Sequence, residues 1–259
     1  MSVKPILFNT EMVRAIQEGR KVQTRRIVKG AGRWMDFIEI SDQMAITAVD
    51  RAGNEYPKDV PGTYATFESE YEPHYPVFKS AYEVGDLLYV RETWNYGTVD
   101  SDCKEYSVPE CWFEEEDWRN DGKYKYIICR FWYKADPEDE EDMVKLGGRW
   151  RPSIHMPKEA ARIWLRVTGI ECQRIQNITV DDARAEGIVV DEYSNEAGET
   201  FHTDNDGNTW EAEMSEEADT LLAFQTLWDS TVQKTELKQY GWNANPWVWV
   251  YHFERCEKP

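Results

Sequence analysis

The residues best suited to chemistry lie in one short stretch, Gly19-Arg20-Lys21-Val22-Gln23-Thr24-Arg25-Arg26, where cationic and hydroxyl side chains follow a glycine. A threonine hydroxyl attacks a carbonyl only when a base removes its proton. A lysine serves as that base only when burial or a neighbouring cation holds it neutral. Lys21 and Thr24 could form that pair. A carboxylate could complete the set by orienting the lysine or relaying its proton, and Glu186 stands at the end of a predicted helix, where the macrodipole disfavours its negative charge. Spacing alone leaves a second reading open, in which residues 19–26 are a solvated basic turn and strand and Glu186 is a plain helix-surface residue.

Four further side chains suit ligand contact. His155 lies in a basic loop after Pro152 and suits either a phosphate or base edge or, more commonly, a satisfied structural role. Trp94 and Trp150 offer aromatic faces worth about 1–3 kcal/mol per stacked base, although with 12 tryptophans in the chain most must be packing. Arg151 belongs to a basic stretch, Arg149, Arg151, His155, Lys158, Arg162 and Arg166, relieved only by Glu159. A comparable stretch from Lys4 to Arg33 holds eight Lys or Arg against Glu11 and Glu18. If folding joins them they make a positive groove; otherwise they pair with the acidic surplus.

The elements that must position these groups can be read from pattern. Thr10 to Gly19 has a capping residue, an apolar stripe at Met12, Val13 and Ile16, and a glycine stop, which predicts a short helix. Val22 to Val28 then reads as a strand with Thr24 and Arg26 on one face and Arg25 and Ile27 on the other. Lys21, at the turn, is within reach of the Thr24 face. Further strands are predicted at Asp86–Thr93, Lys125–Tyr133, Ile163–Ile170 and Pro246–Phe253, the last buried on both faces. A helix is predicted from Thr179, with Asp182 forming a near capping box and Gly187 stopping it. Another is predicted over Ser215–Ser230, with Ala218, Leu221, Leu222, Gln225 and Trp228 on one side. The acidic segments Pro109–Asp121, Ala135–Asp142 and Asp191–Glu217 read as solvated insertions, peripheral enough for the core to survive loss of the last.

Length and composition fit one enlarged globular domain over residues 1–259, α+β and mainly β, with insertions near 100–148 and 191–217. An antiparallel or mixed barrel with peripheral helices is the natural architecture. Acidic residues (49) exceed basic ones (30), for a net charge of −19, so bulk duplex should be repelled at long range. No run approaches the ~20 apolar residues of a membrane span and the start lacks signal-peptide features, which predicts a cytoplasmic protein. The five cysteines are spread out without a C-x-x-C pair, so they read as reduced thiols, and neither a metal nor a cofactor is expected.

Gly19 to Arg26 resembles the G-x-K-x-x-T-x-R signature of ASCH domains, and Gly85-Asp86-Leu87-Leu88-Tyr89-Val90 resembles their G-D-x-L-x-V turn and strand. The Thr179–Gly187 helix is similar to the short acidic helix near the end of that domain. Over nearly its full length the chain also resembles long ASCH-containing proteins of tailed phages and prophages, through Arg91-Glu92-Thr93-Trp94, Trp150 to Pro157, and Asn245 to Val250. The resemblance implies a PUA-like barrel that binds RNA or modified bases. Some small members remove the acetyl group from N4-acetylcytidine with a lysine, a threonine and a glutamate. Carried over by motif, these are Lys21, Thr24 and Glu186, with Arg26 supporting substrate or oxyanion. The chain is more than twice as long as those enzymes, and its insertions would reshape the pocket. Two other functions are kept beside hydrolysis. One is non-catalytic binding of modified RNA or DNA through Lys21, Arg26 and the 149–166 stretch. The other is an acidic nucleic-acid mimic that blocks a host protein, acting in the host cytoplasm if phage-encoded.

Overall fold

A computed structural model describes residues 2–32, 35–49, 55–68, 75–100, 119–120, 125–145, 148–194, 200–204, 207, 209–211 and 216–259, and in it the chain is α+β and mostly β. In chain order the strands are β1 (Val3–Leu7), β2 (Gln23–Ile27), β3 (Asp36–Val49), β4 (Glu55–Glu68), β5 (Val77–Lys79), β6 (Leu87–Arg91) and β7 (Trp94–Asp100). They continue as β8 (Arg119–Asn120), β9 (Lys125–Tyr133), β10 (Trp164–Arg174), β11 (Val190–Ser194), β12 (Thr200–Asp204), β13 (Thr209–Glu211) and β14 (Trp247–Cys256). The α-helices are α1 (Thr10–Gln17), α2 (Pro137–Lys145), α3 (Val180–Ala185), α4 (Glu216–Thr231) and α5 (Leu237–Tyr240). Contacts divide the chain into two compact units, one of Met1–Lys4, Ala15–Leu88 and Ile163–Pro259, the other of Pro5–Arg14 and Tyr89–Arg162. No helix among the described residues is long and apolar enough to cross a membrane.

The main sheet has the order β1-β6-β10-β14-β2. Among the described residues it is open, with β1 and β2 as its edges, so the closed barrel expected from the sequence is not formed. β14 sits between β10 and β2 and is buried on both faces, as its alternation of aromatic and aliphatic side chains requires. Trp247, Trp249 and Tyr251 pack on one side with Met35, Ala65, Phe67 and Cys172. Val248 and Val250 pack on the other with Ala183 of α3 and Ala223, Phe224 and Trp228 of α4.

The hairpin β3–β4 supplies the aromatic side and was not visible in the sequence. Pro57 and Pro61 read as strand breakers, and register shifts at Phe37/Glu39 and Ser41/Gln43 blur the alternation. β5 pairs β4 at Tyr64–Thr66, so among the described residues both prolines lie where the missing N–H is not needed by a second neighbour. At α1 the cap is Asn9 rather than Thr10, since Asn9 Oδ1 accepts from Met12 N at 2.8 Å.

Two expected insertions are structured. Ala135–Asp142 contains the start of α2, whose first turn carries Glu138, Asp139 and Glu140, with Asp139 accepting from Tyr133 N at 2.8 Å. Asp191–Glu217 contains most of the sheet β11-β12-β13, and His202 Nδ1 of β12 contacts Asp219 Oδ2 of α4, both buried. The buried face of α4 is Asp219, Thr220, Ala223, Phe224 and Trp228, while Leu222 of the expected stripe is exposed. Within the 191–217 span, His202 therefore contributes a buried contact to α4. Apart from Arg119–Asn120, the third insertion, Pro109–Asp121, lies outside the described residues.

Asp86 pins the N-terminal strand. It accepts from Ser2 N at 2.9 Å, Ser2 Oγ at 2.8 Å and Glu83 N at 3.0 Å, and pairs with Lys4 Nζ at 2.8 Å. Burial opposes its charge, but Lys4 and these donors outweigh it and hold the carboxyl at about 2. A depressed carboxyl contributes stability that is full above its unfolded value of about 3.9 and is lost as pH falls through the folded value. Acid unfolding of the wild type should therefore show a loss between about pH 4 and pH 2 that is missing in Asp86→Asn. Equal acid curves for the two proteins would contradict this.

Candidate active site

Two glycine-terminated helix ends build the site. α1 ends in a Schellman motif, with Gly19 N bonded to Ile16 O at 3.1 Å and Arg20 N to Ala15 O at 2.9 Å around Gly19 at φ 79°. α3 ends the same way, with Gly187 N bonded to Arg184 O at 2.8 Å and Ile188 N to Ala183 O at 3.2 Å around Gly187 at φ 96°. The capping box expected at its start is present, since Thr179 and Asp182 exchange side-chain and backbone bonds. The two ends abut. Val22 N donates to Ala185 O at 2.9 Å, Arg20 Nη1 donates to Gly187 O at 2.7 Å, and a Cβ on Gly187 would lie 2.7 Å from Ala15 Cβ and 3.3 Å from Lys21 Cβ. Gly187→Ala should thus cost about 3 kcal/mol, from left-handed strain plus overpacking, whereas Gly19→Ala, with nothing within 4 Å, should cost about 1 from strain alone. Denaturant midpoints of the two variants check this, and equal losses would contradict the close approach.

The approach delivers Lys21 to Glu186. Lys21 is 2% exposed and Glu186 4%. Lys21 Nζ donates to Glu186 Oε2 at 2.6 Å and to Glu186 O at 2.8 Å, the second acceptor being a carbonyl at the end of α3. Arg25 Nη1 donates to Glu186 Oε1 at 3.1 Å, so each carboxylate oxygen accepts from one basic side chain. Arg25 Nη2 lies 3.2 Å from Asp182 Oδ2, near enough for attraction but not aligned as a hydrogen bond, and Arg25 Nε is buried without a partner among the described groups. Burial is the largest influence on Lys21 and lowers its pKa. Glu186 opposes that shift, and the charges of Arg26 and Arg25 add to it. The lysine is therefore biased towards the neutral form that a base requires.

β2 is a sheet edge, and its register with β14 places Thr24 opposite Tyr251 and Arg26 opposite Trp249, with Arg25 opposite Val250 on the other face. The expected sharing of a face by Thr24 and Arg26 is observed. Thr24 is 1% exposed and Arg26 is half-buried. Beside them Tyr251 meets Ser80 Oγ at 2.9 Å and packs against Tyr82 with ring centroids 4.9 Å apart. Burial pushes the Tyr251 phenol up to about 12 and raises that of Tyr82, and the Arg26 charge acts against both shifts.

The other candidates belong to the second unit. Trp94 is only 4% exposed and stacks with Tyr96 at 5.6 Å, so it is a packing residue rather than an open stacking surface. Arg151 is exposed, lies 4.4 Å over the Tyr96 ring, and donates to Asn95 Oδ1 at 3.2 Å and Tyr96 Oη at 3.3 Å. His155 closes an exposed 3-10 turn, Ser153–His155, and is not a buried structural histidine.

Sequence reasoning missed Arg25, assigned to the face away from the site, and Ser80, Tyr82 and Tyr251. Only the packing of α3 on the Arg25 face, and the strand pairing that sets Tyr251 against Thr24, bring them in. No family model, curated protein or solved structure matches the chain.

Proposed function

We propose that the chain is an ASCH-type, PUA-like protein that takes a nucleoside at the Thr24 face and hydrolyses the amide of an N4-acylated cytidine. The observation that supports this most is the contact of Lys21 with Glu186, residues 165 positions apart that are buried together at 2.6 Å. A basic surface turn does not need a buried carboxylate, whereas a lysine base does need a group to orient it.

In this reading Thr24 Oγ1 attacks the acyl carbonyl while its proton passes to neutral Lys21 Nζ. Arg26 faces the oxyanion that forms. Collapse breaks the C–N bond, and Lys21 returns the proton to the exocyclic nitrogen of the departing cytidine. The acyl group is then an ester on Thr24. Water attacks it, giving its proton to Lys21, and Lys21 protonates Thr24 Oγ1 as the free acid leaves. Glu186 accepts from Lys21 through Oε2 and its carbonyl, which turns the amine lone pair away from itself, and Arg25 holds the carboxylate in place. A crystal of Thr24→Ala soaked with N4-acetylcytidine should show the amide carbonyl turned towards Arg26. A nucleoside bound elsewhere, or none, would overturn the proposal.

A second reading rests on the exposed Arg149, Arg151, His155 and Lys158, with Arg151 pre-oriented by Asn95 and Tyr96. It is a non-catalytic binder of nucleic acid carrying a modified base. Oligonucleotide affinity that falls steeply with salt, without turnover, would favour it. An acidic mimic of nucleic acid would bind no oligonucleotide at any salt concentration.

A further inference from the structure

We infer that Tyr82 is the platform on which the substrate's base stacks, an assignment that rests on the nucleoside reading above. Seven aromatic side chains form or pack against the cluster on the Thr24 face: Phe67, Trp247, Trp249 and Tyr251 are buried, and Phe37, Phe78 and Tyr82 are half-exposed. Phe37 and Phe78 pack on Trp247 and Phe67, whereas Tyr82 packs on Tyr251, the cross-strand neighbour of Thr24.

Its position is fixed from two directions. Ser80 Oγ donates its single proton to Tyr82 O at 2.7 Å, so at 2.9 Å the Tyr251 hydroxyl must be the donor to Ser80 Oγ. Tyr82 N also donates back to Ser80 Oγ at 3.2 Å. One hydroxyl thus ties the Tyr82 backbone to the Tyr251 side chain. The rings themselves meet edge to face at 75°. Tyr251 stands directly opposite Thr24 in the strand register, so Tyr82 is held one ring away from the hydroxyl proposed as nucleophile.

The register with β14 sets Arg26 on the same face as Thr24 and Tyr251, and its charge acts on both phenols. A half-exposed aromatic held rigidly beside a hydroxyl and a guanidinium suits a planar heteroaromatic amide, with the ring stacking and the acyl oxygen facing the cation. The chemistry selects the pyrimidine itself rather than its sugar or any phosphate.

The test is calorimetric binding of N4-acetylcytidine to Thr24→Ala protein carrying Tyr82, Tyr82→Phe, Tyr82→Trp or Tyr82→Leu. Leucine keeps apolar volume against Tyr251 but has no aromatic face. Binding should weaken about 10–100-fold in Tyr82→Leu and stay within about threefold in Tyr82→Phe and Tyr82→Trp, with thermal midpoints of all four alike. If Tyr82→Leu binds as tightly as its parent, the platform is wrong while the nucleoside reading stands. If Thr24→Ala with Tyr82 intact binds no nucleoside, the nucleoside reading falls and takes the platform with it. A Tyr82→Leu loss that phenylalanine and tryptophan fail to rescue would also overturn the stacking role.

Discussion

Lys21→Ala and Thr24→Ala are each expected to reduce release of free acid from N4-acetylcytidine to the uncatalysed background. Thr24 is proposed as the nucleophile, so its loss removes the covalent route altogether. Loss of a proton-accepting base costs about 10²–10⁴-fold where the nucleophile remains. Lys21→Arg should fail as fully as Lys21→Ala, because a guanidinium stays protonated and cannot accept the proton. The pH dependence carries its own sign. Burial lowers the Lys21 pKa, so the rate should climb with pH as the amine loses its proton and level off below the usual lysine value of about 10.4. A rate that is flat across the same range would mean that Lys21 is not the base. Acid release by wild type and the three variants, measured over pH, decides the matter.

The second large effect is on stability. Glu186→Ala would leave the buried Lys21 amine and Arg25 guanidinium without their shared carboxylate, and breaking a buried pair from one side costs about 3–5 kcal/mol. Glu186→Gln keeps the shape and one acceptor oxygen, so it should cost clearly less. Because Lys21 and Glu186 touch, the double variant Lys21→Met with Glu186→Gln should lose less than the sum of the two single changes. Denaturant unfolding of the single and double variants measures this. Simple additivity would show that the buried contact is not a coupled one. Activity separates the roles further, since Glu186→Gln should slow turnover moderately if the carboxylate orients Lys21 and severely if it relays the proton.

What the sequence made legible was local. Gly19 and Gly187 were readable as helix stops because a left-handed residue after an apolar stripe has few other uses. The Thr179–Asp182 capping box follows from the same short-range chemistry. The alternation of Thr24 against Arg25 is a property of any strand, and the double burial of β14 over Trp247–Tyr251 follows from an unbroken run of aromatic and aliphatic side chains. What was not legible depended on partners distant in sequence. Arg25 looked like the outer face of a strand until α3 packed over it. His202 looked like part of a solvated acidic segment, since nothing near it announces Asp219 at the start of α4. The β3–β4 hairpin was hidden by Pro57 and Pro61, which are tolerated because, among the described residues, no second strand pairs with that part of β4. Trp94 was offered as a stacking surface because composition cannot tell an open ring from a packed one.

The most direct test of the central claim is acetate release from N4-acetylcytidine by the wild type and by Thr24→Ala, with nucleoside binding measured in the same preparations. Both proteins are expected to bind the nucleoside, and only the wild type to release acetate. Binding by both, with no release by the wild type above the Thr24→Ala background, would contradict catalysis and leave a protein that holds a modified base without changing it.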